Sequence, residues 1–280
     1  MKSLIGKIAI FFAIGLLATT AIASESELEH SASGPACVGF GPQTPRDIDN
    51  MTGSNKQNAG LAPSSNKLNL CNIHFHKNAE HKGKAFAIYA GKGDGHGFET
   101  GYQCGISKKL SATEMAATKE SICKSEHGEL KPGDTIEVHW VHSSCDIKPG
   151  ATLGACLSPS CANPDLRVET QVFTLVNDPK AMNLKDMDYD GKLVNGYHQP
   201  KSLPTSTGKP VEFIGSTTGP KYTEQACSPL QVTWSVRPQC AKLDINSVGA
   251  WCKSNAFSED HAHGVRKLVT NPNLLSAIKK

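Results

Sequence analysis

The chain has 280 residues, a net charge of +3 and only 6% aromatic residues. Its Lys and Arg are scattered, so the sequence carries neither a basic footprint for nucleic acid nor a surface for stacking bases. The length is ample for a sizeable core, in one large domain or two small ones.

Residues 1–23 begin with Lys2 and Lys7, continue as an apolar run from Ile8 to Leu17 and end in Ala21-Ile22-Ala23 before Ser24. That order predicts a secretory signal peptide over 1–23. The apolar core is short for a membrane span, which weighs against an uncleaved anchor. The expected destination is periplasmic or secreted, with no membrane attachment after cleavage, and the polar segment 24–36 is expected to be disordered. All ten cysteines lie beyond this point, an even number in an exported chain, which points to as many as five disulfides rather than to thiolate metal ligands.

Residues 39–50 are punctuated by Gly and Pro and read as a loop, and 51–66 as a polar surface connection. Strands are expected over 68–76 and 84–90. In the first, side chains alternate between faces, so Asn72, His74 and His76 share one side. The glycine-rich run 91–101, which includes Asp94, His96 and Glu99, reads as a mobile loop; no Lys-Ser/Thr follows it to make a phosphate cradle. Ser111-Ala-Thr-Glu114 is a capping-box pattern and predicts a short helix over 111–123.

A second strand spans Thr135 to His142, with Glu137 and His139 on one face and His142 on the other, as a buried structural histidine. Residues 143–165 are rich in Cys, Pro and Ser and need disulfides to hold their shape. Further strands are expected over 168–176, 211–214 and 230–236, separated by a polar, irregular stretch over 177–204, and a short helix over 258–275 ends the chain. Within that end, His261-x-His263 reads either as a second, surface metal site or as part of a solvated tail. Short strands, long connections and few helices predict a mostly β single domain.

If the two histidine strands lie side by side, His74, His76 and His139 converge on one ion and leave a fourth position open. Three protein ligands with one exchangeable position is the arrangement of catalytic zinc; cobalt or cadmium are the alternative metals. Three neutral imidazoles leave the metal's charge undiminished, as carboxylates or thiolates would not.

Four stretches, in order, resemble the carbonic anhydrases, the α-type pattern and more closely the δ class. They are Gln43-Thr-Pro-Arg-Asp-Ile48, Asn72-Ile-His74-Phe-His76, Glu137-Val-His139-Trp-Val-His142, and Gly215-Ser-Thr-Thr-Gly-Pro220 followed by Val232-Thr-Trp234. The resemblance implies an α-carbonic-anhydrase-like fold over 37–280: one large mixed, mainly antiparallel twisted sheet, with few short helices, long loops and disulfides. It implies reversible hydration of CO2 to bicarbonate by a metal-bound hydroxide in a monomer or homodimer. His74, His76 and His139 would be the metal ligands, with Asn72 and Glu137 fixing the rings of His74 and His139. Thr217, or Thr218 because the loop is one residue shorter than the family's, would orient the hydroxide, with Glu80 as the acceptor of that Thr. The family's shuttle histidine has no counterpart over 38–73, which leaves His81, His96 or buffer to carry the proton. The resemblance also implies a disulfide between Cys37 and Cys227.

Two other readings stand beside this one. A cupin would use His74, His76, Glu80 and His139 as ligands, but Leu68 stands where the first cupin motif has Gly and Ser143 where the second has Asn. A non-catalytic periplasmic zinc-binding protein would keep the fold without turnover, although zinc storage has no use for a hydroxide-orienting Thr.

Overall fold

Apolar and polar residues alternate along the two histidine-bearing runs, and both are strands. A computed structural model describes residues 34–57 and 60–279; the expected signal peptide and all but the last three residues of the 24–36 segment lie outside them. The first strand, β1 (Asn69–Lys77), is followed by two small hairpins, β2 (Ile88–Tyr89) with β3 (Tyr102–Gln103) and β4 (Ile122–Ser125) with β5 (Gly128–Leu130). The long strands β6 (Thr135–Ser143) and β7 (Leu166–Val176) come next, then a third hairpin, β8 (Leu193–Val194) with β9 (Tyr197–His198). Three strands, β10 (Val211–Ser216), β11 (Gln231–Val236) and β12 (Ala241–Asp244), lead into the helix α1 (Ile245–Lys253).

The main sheet has six strands in the order β1-β6-β7-β11-β10, with β12 continuing alongside β7 beyond the end of β11. β11 and β12 run parallel to β7 and the other pairs are antiparallel, so the sheet is mixed and mainly antiparallel. Gly34–Lys280 forms one compact unit.

Each face of the sheet carries a core. Ile73, Phe75, Ile136, Val138, Trp140 and Phe173 pack beneath α1, against Val248 and Trp251. Val141, Val168, Val172, Val232 and Trp234 fill the opposite face, the one that carries the histidines. A bulge at Cys71 makes both faces possible for β1. One extra residue between Leu70 and Asn72 shifts the alternation, so Leu70, Ile73 and Phe75 enter the first core while Asn72, His74 and His76 turn to the other side.

The helix expected over 111–123 is absent. Its capping box forms, with the Ser111 N–H donating to Glu114 Oε2 at 2.8 Å and the Glu114 N–H to Ser111 Oγ at 3.3 Å, but the chain makes a single turn. Asn177 Nδ2 donates to the carbonyls of Ala116 and Ala117, acceptors that a second turn would need, and Ile122 and Cys123 already belong to β4. The strand expected over 84–90 shrinks to two residues because Gly83 and Phe86 close a tight turn by exchanging backbone hydrogen bonds.

The helix expected over 258–275 reduces to one 3-10 turn, Pro272–Leu274. Its earlier part spends its hydrogen bonds on neighbours: the His263 N–H donates to Phe75 O, the Lys77 N–H to His263 O and the Val265 N–H to Gly97 O. We call 259–266, which runs alongside β1, the strap. The α-helix of the described residues is α1, unforeseen from sequence; Asp244 caps it through the Asn246 N–H, and Ile245, Val248 and Trp251 form its buried face.

The glycine-rich run is a loop with five glycines at positive φ. It is fastened to the strap, and at Gly97 a Cβ would stand 2.6 Å from the Val265 carbonyl oxygen. All ten cysteines pair, as Cys37–Cys227, Cys71–Cys156, Cys104–Cys240, Cys123–Cys252 and Cys145–Cys161. The first is the pair the family resemblance implies. Two others, with Cys71 and Cys145, anchor the 143–165 excursion.

His142 is fully buried, as expected, with Nδ1 on the Trp140 carbonyl at 3.0 Å and no partner for Nε2 among the described residues. Burial, opposed only in part by Glu169, lowers its pKa from 6.5 to about 4. Between these values the unfolded chain takes up a proton that the folded chain does not, so stability falls as the pH drops from 6.5 towards 4. The total is on the order of 3 kcal/mol. In urea denaturation followed across that window, His142→Gln is expected to flatten the slope; an unchanged slope would place the acid sensitivity elsewhere.

Candidate metal centre

The register of β1 against β6 places His74 opposite His139 and His76 opposite Glu137. Opposed and diagonal side chains on one face of an antiparallel pair come within reach of each other. Ring centroids accordingly stand 5.3 Å apart for His74–His76, 5.0 Å for His74–His139 and 4.9 Å for His76–His139. One nitrogen from each ring lies within 4.8 Å of the other two, a grouping able to hold a metal ion.

Two of the outer nitrogens are hydrogen-bonded and the third lies beside a carboxylate. His74 Nδ1 meets Asn72 Oδ1 at 2.7 Å, His76 Nδ1 meets the Gly264 carbonyl at 3.0 Å, and His139 Nε2 stands 3.3 Å from Glu137 Oε1. Each contact fixes a ring by its far side, leaving His74 Nε2, His76 Nε2 and His139 Nδ1 turned inward. His74 Nε2 and His139 Nδ1 are 3.2 Å apart, and His76 Nε2 is buried with no hydrogen-bond partner among the described residues. Such an orphaned nitrogen is what a metal ligand looks like before the metal is considered. Burial, aided by neighbouring imidazoles, pushes His74 well below its ordinary pKa and His76 to about 3, and burial also lowers His139 against the pull of Glu137. The ligand set is neutral.

Glu137 is the hub behind these rings. Its Oε1 accepts from His81 Nδ1 at 2.7 Å and its Oε2 from the backbone N–H groups of Glu80 and His81. Burial alone would raise its pKa, but His81 and His139 outweigh it and keep the carboxylate ionised. Glu80 is raised by burial; its Oε1 accepts the Arg266 N–H at 2.8 Å, and its Oε2 has no hydrogen-bond partner among the described residues. It lies 3.8 Å from His76 Nδ1, the outer nitrogen, and outside the ligand group. That position does not suit the direct ligand a cupin requires.

The Gln43-Thr-Pro segment and the Thr loop are joined. Gln43 Oε1 accepts the Ser228 N–H at 2.8 Å, Thr44 Oγ1 donates to Ser216 O at 2.7 Å, and the Arg266 guanidinium spans Gln43, Ser216 and the Thr223 carbonyl. Thr217 turns away, with its hydroxyl 2.5 Å from that of Ser228. Thr218 lines a cavity of about 610 Å3 that also receives His74, His76, His96, His127 and His263.

Of the two shuttle residues expected from sequence, His96 lines the cavity and His81 does not; His81 is fully buried beside Trp234, on Glu137. Sequence reading missed Gly264 and Arg266, whose carbonyl and amide meet His76 and Glu80 and leave no side-chain motif at the histidine group. It noticed His263 only as half of His261-x-His263. His263 Nε2 meets Glu259 Oε2 at 2.5 Å, and although burial pulls its pKa down, Glu259 outweighs that and raises it.

Fold and site together define a β-sheet protein with a buried three-histidine group able to hold a metal ion, two of whose rings line a cavity. A family model described as delta carbonic anhydrase matches residues 65–247, more than half of the chain and the stretch that holds all three histidines. The chain belongs to the delta carbonic anhydrase family, metalloenzymes that act on a small substrate, CO2. No curated protein matches it. Among solved structures, Photobacterium profundum alpha-carbonic anhydrase is 17% identical, over 84% of this chain and 88% of that one, with a TM-score of 0.28. The Thermovibrio ammonificans alpha-carbonic anhydrase, solved with the inhibitor sulfanilamide, is 16% identical over 81% and 84%, also with a TM-score of 0.28.

Asn72→Ala and Glu137→Gln are each expected to weaken metal retention by about 10–100-fold while leaving all three ligands in place. Competition with a chromophoric chelator measures this, and retention equal to the parent's would remove these residues from the site.

Proposed function

We propose that the chain binds Zn2+ through His74 Nε2, His76 Nε2 and His139 Nδ1 and catalyses the reversible hydration of CO2 to bicarbonate and a proton. The observation that carries this reading is the set of three clustered imidazoles within the family-matched stretch, with His76 Nε2 orphaned and the rings of His74 and His76 open to a cavity. A zinc ion held by neutral ligands supplies Lewis acidity, lowering the pKa of a water it binds from 15.7 to about 7.

The chain's own residues do the rest. Asn72, the Gly264 carbonyl and Glu137 hold the ligand rings, and the ionised Glu137 keeps a hydrogen on His139 Nε2, so that Nδ1 stays free to bind. We assign the orienting hydroxyl to Thr218, which faces the cavity, rather than to Thr217, whose hydroxyl is engaged by Ser228. Glu80 Oε2 is the open acceptor assigned to that hydroxyl. Proton release passes to the imidazole of His96 at the cavity. Five disulfides suit an oxidising compartment, and we place the protein in the periplasm or outside the cell.

Stopped-flow CO2 hydration, before and after chelation and zinc readdition, tests the reading, and zinc-dependent turnover is the expected result. His139→Ala should lose metal and turnover together. Thr218→Ala should keep its zinc and lose on the order of 100-fold in kcat, the cost of one oriented polar contact in the transition state. Thr217→Ala should lose little rate. A folded, zinc-loaded parent without turnover would favour the non-catalytic zinc-binding alternative.

A further inference from the structure

The metal centre has a fourth imidazole beside it, on a segment outside the family-matched stretch. His263 and His76 form a parallel β-bridge, with the His263 N–H on Phe75 O and the Lys77 N–H on His263 O. Paired residues of neighbouring strands project to the same face, and the His263 ring accordingly enters the same cavity as those of His74 and His76. Its centroid is 5.5 Å from that of His74 and 5.8 Å from that of His76. Distances within the triad run from 4.9 to 5.3 Å, so the fourth ring stands only slightly farther out.

A site with three protein ligands and an open position differs from a closed, structural one by a single ligand. A free imidazole at this spacing would compete for that position with any exchangeable ligand. In the structure it is not free: Nε2 is held by Glu259 Oε2 at 2.5 Å. Glu259 is itself buried and fixed at both ends of its backbone, with the Asn255 side chain donating to its carbonyl at 2.6 Å and accepting from its N–H at 3.2 Å. The carboxylate is therefore well placed to hold the ring away from the metal.

We propose that Glu259 is a latch that keeps His263 from becoming a fourth metal ligand, and so keeps the coordination sphere open. Glu259 acts through His263 and is a positioning residue; the inference rests on the three-histidine metal reading above. Releasing the latch converts an open three-imidazole site into a closed four-imidazole one.

The test uses the full mature chain loaded with cobalt(II), whose visible spectrum reports coordination, titrated with thiocyanate as a probe of the open position. The parent is expected to bind thiocyanate with a spectral change. Glu259→Ala should alter the cobalt spectrum in the absence of anion. It should also weaken thiocyanate binding about tenfold or more, as expected if the open form falls to a tenth of the population or less. Glu259→Ala combined with His263→Ala should restore the parental affinity, an outcome that disorder of the strap could not produce. Glu259→Gln, which keeps a hydrogen-bond acceptor for Nε2, should stay near the parent. A Glu259→Ala protein with parental spectrum and affinity overturns the latch, as does a double variant that fails to recover. A folded parent that takes up no cobalt overturns the metal centre and the latch with it, which separates the two failures.

Discussion

The alignment of β1 with β6 is the constraint on which the rest of the site depends. His74 opposes His139 and His76 opposes Glu137, and a slip of β1 by one residue would send His74 and His76 to the apolar face beneath α1, away from His139 and Glu137. The bulge at Cys71 sets the phase of β1, and the apolar residues between the histidines anchor it from the other side. Glu137 then converts the register into chemistry. A fully buried carboxylate is tolerable only with its lone pairs occupied, and here the occupants are His81, two backbone amides and, at 3.3 Å, His139. The same anion thus stabilises the turn after β1 and selects the tautomer of a ligand on β6.

Much of this was legible in the residues. The strand patterns located β1, β6 and β7 to within two residues, and the spacing of His74, His76 and His139 brought out the histidine group before any family likeness was considered. Those features are local: a strand's faces follow from its own sequence. The Cys37–Cys227 pair was legible only through the family resemblance, because cysteine spacing by itself allows many pairings.

What escaped was decided by tertiary partners. The capping box at Ser111 formed and then led nowhere, because Asn177 and the Cys123–Cys252 disulfide claimed the following residues. α1 was missed although Asp244, Val248 and Trp251 carry its cap and its stripe; β12 ends directly at the cap, leaving no loop to mark the boundary. Gly264 acts on His76 through its carbonyl and Arg266 on Glu80 through its amide, backbone groups that no side-chain motif announces, and glycine at 264 is needed because a Cβ would stand 2.6 Å from the His96 carbonyl oxygen. Thr217 and Thr218 are adjacent and identical in type, and only their tertiary surroundings tell them apart, Ser228 beside the first and the cavity beside the second.

The strap has a bearing on the order in which the molecule is assembled. His74, His76 and His139 lie on β1 and β6, yet the carbonyl that orients His76 belongs to Gly264, 188 residues further along the chain. Four of the five disulfides close over 85 to 190 residues, and three of those have their second cysteine beyond position 226. The ring of His76 therefore gains its orienting partner only after the chain has been made as far as Gly264. On the metal-binding reading proposed above, the complete site is assembled only once the strap has been made and has paired with β1.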